Sequence, residues 1–590
     1  MDDRHSLEVY YDKVLQDVAL HLTGNYGAQE LKVINKTEFS SSYRIHKNGV
    51  AIDLLLPIHF PDVFPEVKIP NPYFSRIYPI PHLNVEHTLC IFDPEEAHPN
   101  PANPKGVVDA VIERAFDLIQ LGVKRENSSD YLDEFDSYWC QHTIGNVLSL
   151  IEVNDVVREI HLIEIDLPRL GRGLLAVDSI LKGMNWVKQI GGVSGSTKRK
   201  ALYLPIKSFG IPPYPSSNGS LLKKIRETSP ELISPLIEFL DKNKRPAMVL
   251  FSMVTPSGRV MGGWEHQEPV QINPGHRKNK RQTKRAMNGF RAGYKNARME
   301  MNFFRLVKLN RYSVIRVEKD RLLTRGGDGA ISTSARVGIV GCGSIGSQIA
   351  NSLCDLGVDQ LMLIDKDILT FENIARHLCG GNHVGKSKVE AINDYISSRL
   401  PYCRNNLYHD DVLNILRSDE TLLNRCNLTI VAAAHLPTEF RLDELQRRSM
   451  INKPLLYVWV EPYLAAAHAV YIDPSKGGHF RDLFNENHQF IGTVLDSPGQ
   501  YAIREAGCQS TYVPYSILEV KRFIHELMFL IQDILDGTVS NNVLFTWFGN
   551  LSLQKSFGRG ISKKFDSIGD YSVNYTNVGD LTKTEVLKKC

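Results

Sequence analysis

Two cysteines and one run of glycines, acids and cations carry the reactive side chains of this 590-residue chain. Cys90 follows His82 and Asn84 in PIPHLNVEHTLCIF, and Cys508 stands in REAGCQST between a glycine and small polar residues. A thiol in such a polar loop is accessible and can be acylated to a thioester. From Val337 to Val389 the chain runs through Gly341, Gly343 and Gly346, then Asp365 and Asp367, then Asn373, Arg376 and Lys388. ARVGIVGCGSIGSQIANSLCDLG reads as a buried strand, a tight turn and a helix. This GxGxxG spacing lets backbone approach phosphate at a helix N-terminus. The next strand, QLMLID, ends at Asp365, nineteen residues after Gly346, where an acid can hold a ribose hydroxyl. A nucleotide is expected here. The cations then select the chemistry. A carboxylate attacking the α-phosphate of ATP builds charge on phosphate oxygens, and fixed Arg376 and Lys388 side chains neutralise it. Hydride transfer needs no such cations, which disfavours a nicotinamide dehydrogenase. The plainer alternative is a structural dinucleotide-type unit with solvated charges.

The elements that must position these groups occupy a long chain. Its length predicts three or so domains. A net charge of +3 neither demands nor excludes nucleic acid. No apolar run approaches the ~20 residues of a membrane helix. The opening MDDRHSLEVYYDKVL predicts an acidic, amphipathic helix unlike a signal peptide. A cytoplasmic protein with reduced thiols is therefore expected. Nine cysteines include no CxxC pair, so no structural zinc knuckle is expected.

From Asp365 the segment DKDILTFENIARHLCGGNHVGKSKVEAI resembles the adenylation domain shared by ubiquitin-activating enzymes and the adenylyltransferases of thiamine and molybdopterin synthesis. The family's aspartate, asparagine eight residues on, arginine three further and Gly-x-x-Lys correspond to Asp365, Asn373, Arg376 and Gly385 to Lys388. One place departs. Where the family has an aspartate for Mg²⁺ after its fourth strand, LTIVAAAHLPTEF puts Ala434 or His435. Asp367 or Glu439 remains to supply the carboxylate, or ATP phosphates hold the metal. The N-terminal part resembles the ubiquitin-conjugating enzyme fold. It has a leading helix, strands such as VAIDLLLPIHF, the proline-bounded Phe60-Pro61 and Phe64-Pro65, His82-Leu83-Asn84, and then Cys90. The family usually has proline at Leu83 and a slightly longer gap to the cysteine. The resemblance implies that Cys90 carries an acyl group and that Asn84, in the motif with His82, supports the loop or the oxyanion. Asp93, Glu95 and Glu96 nearby predict a thiol that is not unusually acidic. A buried core cysteine is the structural alternative for Cys90.

Activating enzymes carry their nucleophile on a mobile segment, which implies Cys508 for the first thioester. Cys379, beside Arg376, and Cys403 are the competitors; Cys342, Cys354 and Cys426 fall on core elements, and Cys590 is incidental. Both halves in one chain resemble the fused ubiquitin-transferase-like family of CBASS anti-phage operons. The expected fold is multidomain α/β. It comprises a conjugating-type α+β domain over 1–150, a linker or target-engaging domain over 151–330, and a Rossmann-like adenylation domain over 331–590. The resemblance implies ATP with Mg²⁺, a CD-NTase-type nucleotidyltransferase whose C-terminus is activated, an amine-bearing target, and a homodimer without membrane or nucleic acid. In the middle, SPLIEFLDKNK predicts a helix, MVLFSMVTPSGRVMGGW a hairpin turning at 256–258, and GGVSGSTKRK a flexible loop. Arg277 to Arg298 holds nine Lys or Arg residues with Phe290 and Tyr294. That segment reads as a solvated face, a docking surface for an acidic protein, or a nucleic-acid site. Two further alternatives are a sulfur-carrier adenylyltransferase and a non-catalytic scaffold or nucleic-acid-binding protein.

Overall fold

The computed structural model describes residues 3–33, 35–93, 96–243, 246–267, 307–326, 335–501, 503–504 and 511–580. Glu95, the basic segment 277–298, Cys508 and Cys590 lie outside them. Residues 1–183 and 194–316 form one compact unit, and residues 184–193 and 317–590 a second.

The first unit begins with α1 (Asp3–Tyr26) and an antiparallel meander of β1 (Gln29–Leu31), β2 (Phe39–Lys47), β3 (Val50–Pro57), β4 (Glu66–Lys68) and β5 (Thr88–Leu89). Period-two patterning sets its register: Ile45 faces Ile52, Tyr43 faces Leu54, and all four are buried. Their face meets α2 (Pro104–Lys124), whose Val108, Val111, Ile112 and Ala115 recur at helical spacing. Asn103 caps α2 by accepting the Gly106 N–H, with Pro104 at the first helical position. Helix α1 is not amphipathic in the expected sense. Val18 and Leu22 are buried, yet Leu7, Val9, Tyr10 and Leu20 are exposed.

Beyond it, α3 (Asp130–Asp133) and α4 (Phe135–Cys140) lead into a closed barrel. Its strands are β6 (Thr143–Ser149), β7 (Arg158–Leu167), β8 (Gly171–Val177), β9 (Val193–Pro205), β10 (Ala247–Thr255), β11 (Gly258–His266) and β12 (Asn310–Arg316). They follow one another as β10-β11-β12-β6-β8-β7-β9, and β9 pairs back to β10. The hairpin at 256–258 and the helix α5 (Ile233–Lys242) form where expected. The stretch 191–200 differs: from Val193 it is strand, not flexible loop. Polar residues fill its solvated half, while Ala201 to Leu204 are buried, so composition hid the extended backbone. Phe135 and Trp139 of α4 are fully buried, and Trp139 stacks on Phe209 at 5.4 Å. The Trp139 indole donates to the Tyr312 carbonyl at 3.1 Å, and the Arg311 guanidinium lies 4.9 Å above its ring. These contacts fasten α4 to the barrel.

The second unit is built on an eight-stranded sheet ordered β15-β14-β13-β16-β17-β18-β21-β22. Its strands are β13 (Arg336–Val340), β14 (Gln360–Ile364), β15 (Asn406–Tyr408), β16 (Leu428–Val431), β17 (Leu455–Val460), β18 (Ala466–Ile472), β21 (Val543–Phe548) and β22 (Val573–Asn577). The short pair β19 (Ile503–Arg504) and β20 (Thr511–Tyr512) stands apart. β15 to β17 are parallel, and antiparallel pairing takes over from β18. The near-continuous apolar runs of β13, β14 and β16 suit strands buried on both faces. β13 is flanked by β14 on one side and β16 on the other, so strand order reverses at its carboxyl end, where such sheets open a crevice. The helices of this unit include α6 (Ser344–Asp355), α7 (Lys388–Arg399), α8 (Val412–Ser418), α9 (Leu436–Arg447) and α10 (Ile517–Leu535).

After β17 the buried Glu461 carboxyl accepts the N–H groups of Val494 at 2.7 Å and Leu495 at 2.8 Å, and meets His468 Nε2 at 2.9 Å. Two residues on, Tyr463 donates its N–H to the Pro514 carbonyl at 2.6 Å. Among the described residues no helix is long and apolar enough to cross a membrane.

Candidate functional site: a glycine-turn crevice and an exposed thiol

At the end of β13 the chain turns through Gly341, φ +90°, where a Cβ would lie 2.6 Å from the Ala432 carbonyl oxygen. A Cβ on Gly346 would fall 1.9 Å from the Gly341 oxygen, so the first turn of α6 crosses the strand end only as glycine. Gly343 has open space where its Cβ would stand, and no side chain caps α6. The positive end of that helix therefore borders an open cavity of about 110 Å³. Arg376, Lys388, Asn373 and Tyr515 line the same cavity. The Arg376 guanidinium lies 4.9 Å from the Tyr515 ring centroid, and its carbonyl accepts the Ser344 hydroxyl at 3.1 Å. Lys388 is buried, with Nζ donating to Asp367 Oδ2 at 2.7 Å. The Asn373 side-chain oxygen accepts both the N–H and the hydroxyl of Thr370 at 3.1 Å, which folds the turn leading to Arg376. His377, which sequence reasoning missed, is held below the ordinary imidazole value by burial. Its neutral ring donates from Nε2 to the Cys342 carbonyl at 3.0 Å and accepts the Cys379 N–H at Nδ1.

A second cavity is bordered by Gly341, Asp365, Lys366, Asp411, Ala433 and His435. Asp365 accepts the Cys342 N–H at 2.6 Å and the Asp367 N–H at 2.8 Å, so its carboxylate braces the glycine turn while facing this space. Phosphates against the cationic cavity and a sugar against the acidic one fit the residues present. A magnesium ligand set does not assemble in the same way. Among the described residues no group of three or more acids, histidines or cysteines is placed to hold a metal. Ala434 sits at φ +50°, His435 Nδ1 lies 2.9 Å from the Thr438 hydroxyl, and burial pushes the Glu439 carboxyl up to about 7. Asp367 already faces a lysine.

Cys90 is exposed. Its N–H donates to the His82 carbonyl at 2.8 Å. The Asn84 side-chain oxygen accepts the N–H groups of Glu86 and Thr88, both at 2.9 Å, and so holds the loop in shape. His82 adopts φ +66°, and both its ring nitrogens meet carboxylates: Nδ1 to Glu134 at 2.7 Å and Nε2 to Asp130 at 3.0 Å. The Glu134 bond first, against burial, raises its pKa. Although Cys90 is exposed as a residue, neighbouring atoms strip water from its sulfur; this desolvation, and then the Glu134 charge, push the thiol up. The expectation of a thiol that is not unusually acidic stands, but with Glu134 as the acid concerned. Glu134, Asp130 and Tyr515 escaped sequence reasoning because nothing local links them to Cys90 or Arg376.

Cys379 is buried and pushed up to about 12 by desolvation, with Asp394 adding to it. That thiol is a poor nucleophile. Cys342, Cys354 and Cys426 are buried, Cys403 is half-buried, and Cys140 is exposed.

Residues 14–145 match prokaryotic E2 family B, and residues 322–510 match the ThiF family. Over 82 residues the chain is 37% identical to the ATP-dependent ubiquitin transferase-like protein Cap2 of Enterobacter hormaechei, covering 14% of each protein. It is 26% identical over 152 residues to ubiquitin-like modifier-activating enzyme 5 of Caenorhabditis elegans, covering 24% of this chain and 36% of that one. To the tRNA threonylcarbamoyladenosine dehydratase of Haemophilus influenzae it is 30% identical over 120 residues, or 20% of this chain and 45% of that one. The chain thus spans less than half the length of each of these relatives.

Proposed function

We propose that this chain, which joins a prokaryotic E2-type domain to a ThiF-type domain, activates a protein C-terminus with ATP and passes it over two thiols to an amine. The observation that carries this reading is the single cavity where Arg376, Lys388 and the open end of α6 converge. ATP lies over Gly341, Gly343 and Gly346, with Asp365 toward its sugar, Asp367 holding Lys388 beside the phosphates and Asn373 folding the turn that presents Arg376. The C-terminal carboxylate attacks the α-phosphate, pyrophosphate leaves, and Arg376 and Lys388 meet the developing charge. Magnesium enters with the phosphates, and no step is assigned to it on the protein.

The Cys508 thiol attacks the acyl adenylate and takes the acyl group as a thioester, releasing AMP; Cys508 precedes Tyr515 by seven residues in the sequence. Exchange moves the acyl group to Cys90; one thioester replaces another, so the step is close to balanced. A target amine then takes it as an amide. His82 and Asn84 hold the Cys90 loop during this discharge. One polypeptide supplies both thiols, which raises the effective concentration of each for the other. The working domains are 1–150, 151–330 and 331–590, and the assembly is a cytoplasmic homodimer. The activated protein is a CD-NTase-type nucleotidyltransferase, and the setting is CBASS anti-phage defence. The absent aspartate at Ala434 favours a second reading, a non-catalytic scaffold.

The test is intact-mass and gel analysis of the full chain with Mg-ATP and the candidate nucleotidyltransferase, beside Cys90→Ala and Cys508→Ala. A reductant-sensitive adduct in Cys90→Ala that disappears when Cys508→Ala is added supports the relay. An adduct that needs only Cys90 moves the first nucleophile away from Cys508. No adduct and no pyrophosphate release make the scaffold the better reading.

A further inference from the structure

The Cys90 loop is held from outside the meander that carries it. His82 has φ +66°, a conformation that side chains other than glycine keep only when their surroundings fix them. Four contacts do so. Its N–H donates to the Tyr138 hydroxyl at 2.6 Å, and its carbonyl accepts the Cys90 N–H at 2.8 Å. Its ring bonds Glu134 at 2.7 Å and Asp130 at 3.0 Å. Tyr138 in turn donates to the second Glu134 oxygen at 2.8 Å. Asp130, Glu134 and Tyr138 belong to the α3–α4 segment, and the neighbours Phe135 and Trp139 are fully buried against the barrel. The acid that grips His82 is therefore placed by the barrel's aromatic core.

We propose that Glu134 is the positioning residue of the Cys90 site: it locks the turn from His82 to Cys90 through the imidazole and fixes the charge beside the sulfur. This rests on the proposed role of Cys90 and adds a residue that the role alone does not name. The groups facing His82 are Asp130, Glu134 and Tyr138, and Glu134 is the charge felt at Cys90. The pH behaviour follows. The His82 share of the clamp is complete below its ordinary value of 6.5 and is lost as pH rises through the raised one. Burial works against the Glu134 charge, but the bonds from His82 and Tyr138 hold its carboxyl below the ordinary 4.5. Its share is thus present above 4.5 and lost only as pH falls through the lowered value. The clamp is closed between the ordinary 4.5 of Glu134 and the ordinary 6.5 of His82, and it loosens as pH rises through the raised His82 value.

The experiment compares full-length wild type, Glu134→Gln and Glu134→Asp. Iodoacetamide labelling of Cys90 is followed across pH, and hydrogen exchange across the peptide 83–90, both by mass spectrometry. For Glu134→Gln the labelling profile should move to lower pH, and exchange across 83–90 should rise about tenfold. Glu134→Asp keeps the charge but shortens the reach. It should leave the labelling profile nearer wild type while exchange still rises, and it serves if the glutamine variant does not fold. Labelling and exchange unchanged in both variants would overturn the inference. Neither readout uses ATP or an acyl donor, so failure of pyrophosphate exchange counts against the proposed function and not against this clamp.

Discussion

Arg376 and Lys388 share a cavity but are held differently, and their replacement should separate accordingly. The Arg376 guanidinium stacks on Tyr515, and its carbonyl, not its side chain, braces α6. Arg376→Ala should therefore leave the turn standing and lower ATP–pyrophosphate exchange by about 10²–10³-fold, the usual effect of removing one aimed charge. Lys388 is buried against Asp367, so Lys388→Ala also strands a carboxylate beside the phosphates. It should lose as much in rate and, in addition, bind ATP more weakly, whereas Asp367→Asn should release the lysine and bind ATP at least as well. Equilibrium ATP binding measured beside the exchange rate distinguishes these outcomes. Equal losses of rate and affinity in Arg376→Ala would count against a role confined to the developing charge.

Among the elements, the turn after β17 hangs on one buried carboxyl, Glu461. Glu461→Ala leaves two buried amides and the His468 ring without their acceptor, at a cost of about 3–5 kcal/mol. Glu461→Gln keeps one carbonyl acceptor and should cost clearly less. Denaturant midpoints for the second unit give the comparison, and equal costs would mean that packing, not hydrogen bonding, sets the value. The legibility of the sequence follows the same division between local and distant contacts. The crevice could be read because β13, the glycine turn, Asp365, Asn373, Arg376 and Lys388 lie within a short stretch whose spacing encodes its geometry. The segment from Val193 could not, because its solvated half has the composition of a loop. The Cys90 clamp was out of reach as well: His82 meets Asp130 across 48 residues and Tyr138 across 56, and no spacing rule connects them.

At the scale of the whole molecule, two compact units should unfold as two transitions rather than one. The glycine crevice lies wholly within the second, so ATP should stabilise that unit alone. At a hundredfold excess over its dissociation constant the gain is about 2.7 kcal/mol, read as a rise in one calorimetric transition. If both transitions rise together, the units are not energetically separate. The chain between Leu495 and Pro514 is pinned at both ends by Glu461 and Tyr463, almost neighbours in sequence. Between two such fixed posts, length is nearly free, because doubling a closed loop costs only about 0.6 kcal/mol in entropy. Insertions and deletions among related chains should gather between these two posts, where a change of length leaves both pinning contacts as they are.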